Sequence, residues 1–183
     1  MPFVRRNVKA SLAALALFFA FATLAHAAGP MPRGQAPGWY RMMLGDFEVT
    51  ALSDGTAEIP WHTILNSPAA RIQAALARQY LKSPLETSVN GYLVNTGSKL
   101  VLVDAGAAKL FGPDLGNIID NLKAAGYTPE QVDTVLITHL HGDHINGLVT
   151  PDGKVVFTNA EVWSAKADNE FWLSEEIAAK APK

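Results

Sequence analysis

Alternation of apolar and polar residues is clearest in "DFEVTALSDG", residues 46–55, which predicts a strand running into an Asp-Gly turn. Residues 67–81, "SPAARIQAALARQYL", repeat apolar positions at helical spacing, and predict a helix capped by Ser67 with Pro68 in its first turn. Two short strands are expected next, "GYLVNT" (91–96) and "KLVLVDAG" (99–106), joined through Gly97-Ser98. Residues 114–127 form an amphipathic helical pattern closed by Gly126. "TVLIT" (134–138) is an unbroken apolar and β-branched run, which predicts a strand buried on both faces. Further on, residues 154–159 predict a strand and 168–181 a helix. Strands come first and then alternate with helices, so the expected class is a layered α/β domain.

The first 27 residues follow another pattern. Arg5, Arg6 and Lys9 precede an uncharged apolar run from Ser11 to Ala25, and Ala25-His26-Ala27 ends it as an A-x-A cleavage signal. That three-part order is that of a secretory signal peptide, and the run is short for a membrane span. Arg5-Arg6 leaves the twin-arginine route open beside the unfolded one. The expected organisation is therefore a leader at 1–27, a Pro- and Gly-rich flexible lead-in at 28–38, and one domain at 39–183. It places the protein outside the cytoplasm, periplasmic or secreted, with no stable membrane anchor after cleavage.

Removing the leader takes away three of the fifteen basic residues and none of the seventeen acidic ones, so the formal charge falls from −2 to −5. A mildly acidic chain without a basic run argues against nucleic-acid binding. An exported chain with no cysteine has neither disulfides nor thiolate ligands, and must rely on core packing or on metal held by His, Asp and Glu.

That restriction gives weight to "LITHLHGDHINGL", residues 136–148. Three of the chain's five histidines stand within six positions, beside an aspartate. His139 and His141 are two apart, so in extended backbone both leave on one face and can chelate one ion. Gly142 permits a tight turn, after which Asp143 and His144 project elsewhere and can hold a second. Imidazole and carboxylate donors suit Zn²⁺, and also Fe, Mn or Co.

His-x-His-x-Asp-His after a hydrophobic strand resembles the signature of the metallo-β-lactamase fold superfamily. Asp104 in "LVLVDAG" matches the acidic residue that ends an early strand there and supports the metal loop. Longer stretches, "APGWYRMMLGDFEVTALSDGT", "SPLETSVNGYLVNTGSKLVLVDAGAAKLFGPDLG", "NLKAAGYTPEQVD" and "FWLS", resemble methyl parathion hydrolase-like enzymes, over roughly Ala36 to Ala181. The resemblance implies an αββα sandwich, of which this chain carries the N-terminal half. It implies two divalent metal ions, zinc foremost, with His139 and His141 on the first and Asp143 and His144 on the second. A hydroxide held between them would be the nucleophile, and no side chain would serve as one. Phe111 and Trp172 match positions where such enzymes place aromatics around the leaving group, with ordinary packing as the other reading.

A complete dinuclear site of this kind also needs a third histidine on the first metal, a bridging aspartate and a late histidine. Apart from His26 and His62 no further histidine exists in the chain. His62, in "EIPWHTILN" beside Trp61, is either a replacement ligand or a capping residue. Three functions stay open: a hydrolase of organophosphate triesters or related activated esters, a lactonase of the acyl-homoserine lactone type, or an incomplete metal-binding fragment without activity. The partners expected are a small ester or lactone and, where the chain stands alone, a second copy completing a homodimer.

Overall fold

The computed structural model describes residues 36–180, and from Pro37 onward they form one compact unit. The leader at 1–27 and most of the lead-in lie outside the described residues. Gly38 is already fixed, accepting a hydrogen bond from Ser53 N–H at 2.8 Å.

Six strands form one sheet in the order β1 to β6: β1 Trp39–Leu44, β2 Phe47–Ile59, β3 Leu85–Asn95, β4 Leu100–Val103, β5 Thr134–Leu136 and β6 Glu161–Trp163. The first four pair antiparallel, and β5 and β6 join in parallel. Helices α1 (Trp61–Ile64) and α2 (Ala69–Ala77) fill the β2–β3 connection, and α3 (Ile118–Ala124) crosses from β4 to β5. The remaining helices are α4 (Gly142–Ile145), α5 (Lys166–Trp172) and α6 (Glu175–Lys180). Among the described residues no helix is long and apolar enough to cross a membrane. This is the mixed α/β class the sequence predicts.

The core lies on the α3 side of the sheet. Leu52, Leu93, Leu102 and Val135 come from four successive strands and meet Ile118 and Leu122 of α3, with Val132 and Phe157 closing the ends. Each such burial stabilises the fold by about 1.5–3 kcal/mol. Gly126 ends α3 with φ +95°, and the N–H groups of Gly126 and Tyr127 return to the carbonyls of Lys123 and Leu122. Asp133 ties β4 to β5, accepting from Leu100 N–H at 2.8 Å and pairing with Lys99 at 3.2 Å. The Leu100 N–H chiefly, with Lys99, holds its carboxyl below the usual aspartate value.

The opposite face is apolar but bare. Partners in register run Tyr40–Ala51–Tyr92–Val103–Leu136–Trp163 across all six strands. Tyr40 is 71% exposed and Trp163 59%. One sheet of the expected αββα sandwich is present among the described residues, and this is the face that would meet the other.

Several expectations are corrected. "TVLIT" is buried on one face only: Val135 and Ile137 point into the core, whereas Leu136 lies on the bare face. The strand expected at 154–159 is a tight excursion in which Val155 makes one bridge to Val149 and Phe157 turns into the core, and the last strand falls at 161–163. Phe157 plugs the core, and the chain must leave the strand direction to put it there. The helix expected at 168–181 is two, α5 and α6, separated at Leu173-Ser174, and the second is capped by Ser174 Oγ accepting from Ile177 N–H. Pro68 rather than Ser67 holds the N-cap position of α2, with no side-chain cap. Strand β1 begins directly after the Pro- and Gly-rich lead-in, which hides it from the sequence.

Candidate metal centre

Strand β5 delivers the histidine cluster, and the end of β4 receives it. Asp104 follows β4 with φ +61°, a left-handed conformation that aspartate tolerates better than most residues. Its buried carboxylate accepts from Thr138 N–H through Oδ1 at 2.8 Å and from Thr138 Oγ1–H through Oδ2 at 2.8 Å. His144 Nδ1 lies 2.9 Å from the same Oδ2. A carboxylate can only accept, so Nδ1 donates and His144 keeps Nε2 as its free nitrogen. The backbone repeats the link: Ala105 N–H donates to His144 carbonyl at 2.8 Å.

Gly142 does not make the tight turn read from the sequence. It is the first residue of α4, with His141 at the N-cap, and its Cα faces the Leu110 side chain. The turn of helix carries Asp143 and His144 back toward β4, so a helix does the redirecting.

The side chains converge. His139 Nε2 and His141 Nδ1 are 3.1 Å apart, and the rings of His139 and His144 are centred 4.0 Å apart. His144 Nε2 faces Asp143 Oδ2 at 3.3 Å. An imidazole lone pair and a carboxylate oxygen so placed repel unless a cation or a proton stands between them. Among the described residues no three such side chains surround a common point at metal-ligating distance. The His139–His141 hydrogen bond occupies the donors, and a cation would replace it. By donor chemistry, nitrogen and carboxylate without thiolate, His139, His141, Asp143 and His144 fit a divalent cation such as zinc.

Phe111 and Trp172 both reach the cluster. Phe111 lines a solvent-open cleft with His141, Asp143, Ile59, Trp61 and Ile64, about 860 Å³ of empty space including its mouth. The cleft exists because β2 and β3 run on past the shorter strands, and their outer ends form its wall. Trp172 packs edge-on against His141, with ring centroids 5.6 Å apart. His62 stands aside from this arrangement, engaging Ser83 Oγ through Nδ1 at 2.6 Å.

Four contributors escape the sequence reading. Thr138 clamps Asp104, Asp168 at the start of α5 accepts from Leu140 N–H at 3.1 Å, and Trp61 and Ile64 wall the cleft. Thr138 had a signal, since it immediately precedes His139. Asp168 lies 28 residues from its partner, and only the tertiary fold joins them.

Residues 85–159 match the family model of the metallo-β-lactamase superfamily. A crystal structure of AbOPH, described as a hydrolase in the β-lactamase superfamily, aligns at 42% identity and TM-score 0.73, over 81% of this chain and 52% of that one. AidC, a dizinc quorum-quenching lactonase solved with its product N-hexanoyl-L-homoserine, aligns at 27% identity and TM-score 0.65, over 75% and 48%. Among curated proteins, the exodeoxyribonuclease WalJ of Streptococcus pneumoniae is 32% identical over 88 residues, 46% of this chain and 30% of its own length. The chain thus spans about half the length of those two solved structures and under a third of that curated relative. The shared segment contains β3, β4, β5, Asp104 and the whole histidine cluster. Residues 85–159 thus match the metallo-β-lactamase superfamily model, and the sheet and helices built around them resemble the AbOPH hydrolase of the β-lactamase superfamily.

Proposed function

We propose that this chain contributes to a metal-dependent hydrolase site for neutral activated esters, organophosphate triesters foremost. The observation that carries the reading is the opening of the histidine cluster onto an apolar, aromatic cleft lined by no Lys or Arg. Beyond the cations of the site, the lining offers no Lys or Arg to meet a further anionic group on a substrate. Its apolar and aromatic lining, Ile59, Trp61, Ile64 and Phe111, favours neutral hydrophobic esters. The acidic chain and this lining set DNA, the substrate in WalJ's name, behind small esters. The resemblance to methyl parathion hydrolase-like enzymes supports the phosphotriester.

In this reading His139 and His141 hold one divalent cation, and Asp143 with His144 a second. Bound there, cations supply Lewis-acid polarisation of a P=O, P=S or C=O group and acidify water. The chain's own residues orient. Asp104 fixes the tautomer of His144, Thr138 fixes Asp104, and Phe111 with Trp61 packs the apolar part of the ester and excludes bulk water. Trp172 holds the His141 ring by edge-on contact.

Purified full-length protein that carries this sequence, supplied with Zn²⁺, is expected to release nitrophenolate from a neutral nitrophenyl phosphotriester, and its His139→Ala variant to lose that activity. Turnover by the variant at the parent rate overturns the reading. The likeness to AidC favours a lactone as the second substrate class, and a larger kcat/KM on an N-acyl homoserine lactone than on the phosphotriester would decide for it. Loosely held metal with no turnover of either would identify a metal-binding fragment. Export is proposed with the same enzyme, and N-terminal sequencing of the secreted or periplasmic protein should begin at Ala28.

A further inference from the structure

We propose that Asp54 is a positioning residue for the metal loop, acting through the β4 exit turn on Asp104 and His144. It rests on the proposed ligand set only for its metal-binding readout. Asp54 is 1% exposed, and it makes no ion pair among the described residues. Burying a carboxylate without a cation is costly, and the cost falls only when several N–H donors meet it.

Two donors meet it, from separate elements. Oδ2 accepts from Ala107 N–H at 2.8 Å, and Oδ1 from Ile118 N–H at 3.1 Å. Ile118 is the first residue of α3, and Asn117, at its N-cap, makes no side-chain cap bond. Asp54 therefore caps α3 from a different strand. Its carbonyl also accepts from Asn117, both from the backbone N–H and from Nδ2 at 2.8 Å.

Strand register explains how the carboxylate gets there. Ser53 pairs with Asn90 and Gly55 with Val89, which leaves Asp54 as the extra residue of a β-bulge. Bulges free a residue from the ladder and re-aim its side chain. Here it is aimed at Gly106, where φ is +83° and an added Cβ would come within 2.7 Å of the Asp54 carboxyl carbon. The carboxylate lies flat on the glycine of "DAG".

The segment 104–107 is thus held from both sides. On one side stands Asp54. On the other, Ala105 N–H donates to His144 carbonyl, and Gly147 N–H donates to Gly106 carbonyl at 3.2 Å. Asp104 heads this segment and orients His144 by its side chain. Loosening the Ala107 anchor lets the turn drift, and the drift reaches the His144 ring. Asparagine tests this well, since it matches aspartate in shape but offers one acceptor and sets an NH₂ against one of the two N–H donors.

The experiment compares parent, Asp54→Asn, Asp54→Ala and His139→Ala in the full 183-residue chain. Three things are measured: the imidazole ¹⁵N signals of His144 without metal, Co²⁺ affinity by titration, and the urea midpoint. For Asp54→Asn the His144 signals should shift and Co²⁺ affinity fall at least tenfold, while the chain stays folded. His139→Ala should weaken Co²⁺ binding with the urea midpoint at the parent value. If Asp54→Asn and Asp54→Ala lower the urea midpoint but leave the His144 signals and Co²⁺ affinity at parent values, Asp54 is a fold residue and the proposal is overturned. If the parent binds no Co²⁺, the ligand assignment fails, and the His144 signals alone still decide the role of Asp54.

Discussion

The histidine cluster has two halves of opposite character. The inner half, Asp104, Thr138 and His144, is tied by three side-chain hydrogen bonds between 2.8 and 2.9 Å and backed by backbone links between β4 and α4. In the outer half, His139 and His141 bond chiefly to each other and lean on Thr138 and Trp172. A rigid inner half presets one nitrogen, and a loose outer half leaves two imidazoles able to turn toward a cation. Orientation is built into the fold, and closure is left to the ligand.

The largest break comes at the inner half. Asp104→Ala leaves Thr138 N–H and His144 Nδ1 without their acceptor, and should cost about 2–4 kcal/mol in urea unfolding. It should also weaken cation binding, because His144 loses its fixed tautomer. His139→Ala and His141→Ala should separate the two halves: unfolding free energy within about 0.5 kcal/mol of the parent, and Co²⁺ affinity down by about tenfold or more by analogy with loss of ligand support. A drop in stability as large as that of Asp104→Ala would erase the distinction. Thr138→Val removes one of the bonds on Asp104 and should cost about 1 kcal/mol, with metal affinity shifted in the same direction as Asp104→Ala but less.

The smallest effect lies outside the cluster and serves as its control. Asp133 has a lowered pKa in the folded chain because Leu100 N–H and Lys99 favour its charged form. Its contribution is therefore full above the ordinary aspartate value of about 3.9 and fades as pH falls through the lower folded value. Asp133→Asn should flatten the acid limb of a pH–stability curve below about pH 4 and leave Co²⁺ binding at neutral pH unchanged.

Particular elements show what was readable in the chain and what was not. Strand β4 and helix α3 were legible because one face of each repeats apolar residues at its own period, and Gly126 ends α3 where the sequence places it; β2 was legible in part, since it bulges at Asp54 and runs on to Ile59 where the sequence places an Asp-Gly turn. Strand β6 was not. "KVVFTN" has the stronger strand composition, yet its Phe157 is needed in the core, and the weaker "EVW" takes the edge position. Val135 and Leu136 are equally apolar in sequence, and only the sheet decides that one is buried and the other 40% exposed. At the site, the four candidate ligands and Asp104 lie near one another because short spacing and a strand end leave little freedom, but among the described residues no three of them ring a common point. Asp54 reads as a turn residue in the sequence, and the role of Asp168 goes unread because its partner lies 28 residues away.

The sequence by itself determined the donor set, the superfamily signature and the strands that carry it, since these depend on residue type and local periodicity. Tertiary structure decided which nitrogen of His144 is free, which face of the sheet is covered and which buried carboxylate anchors the loop. Those outcomes depend on hydrogen bonds and packing between segments that local pattern cannot bring together.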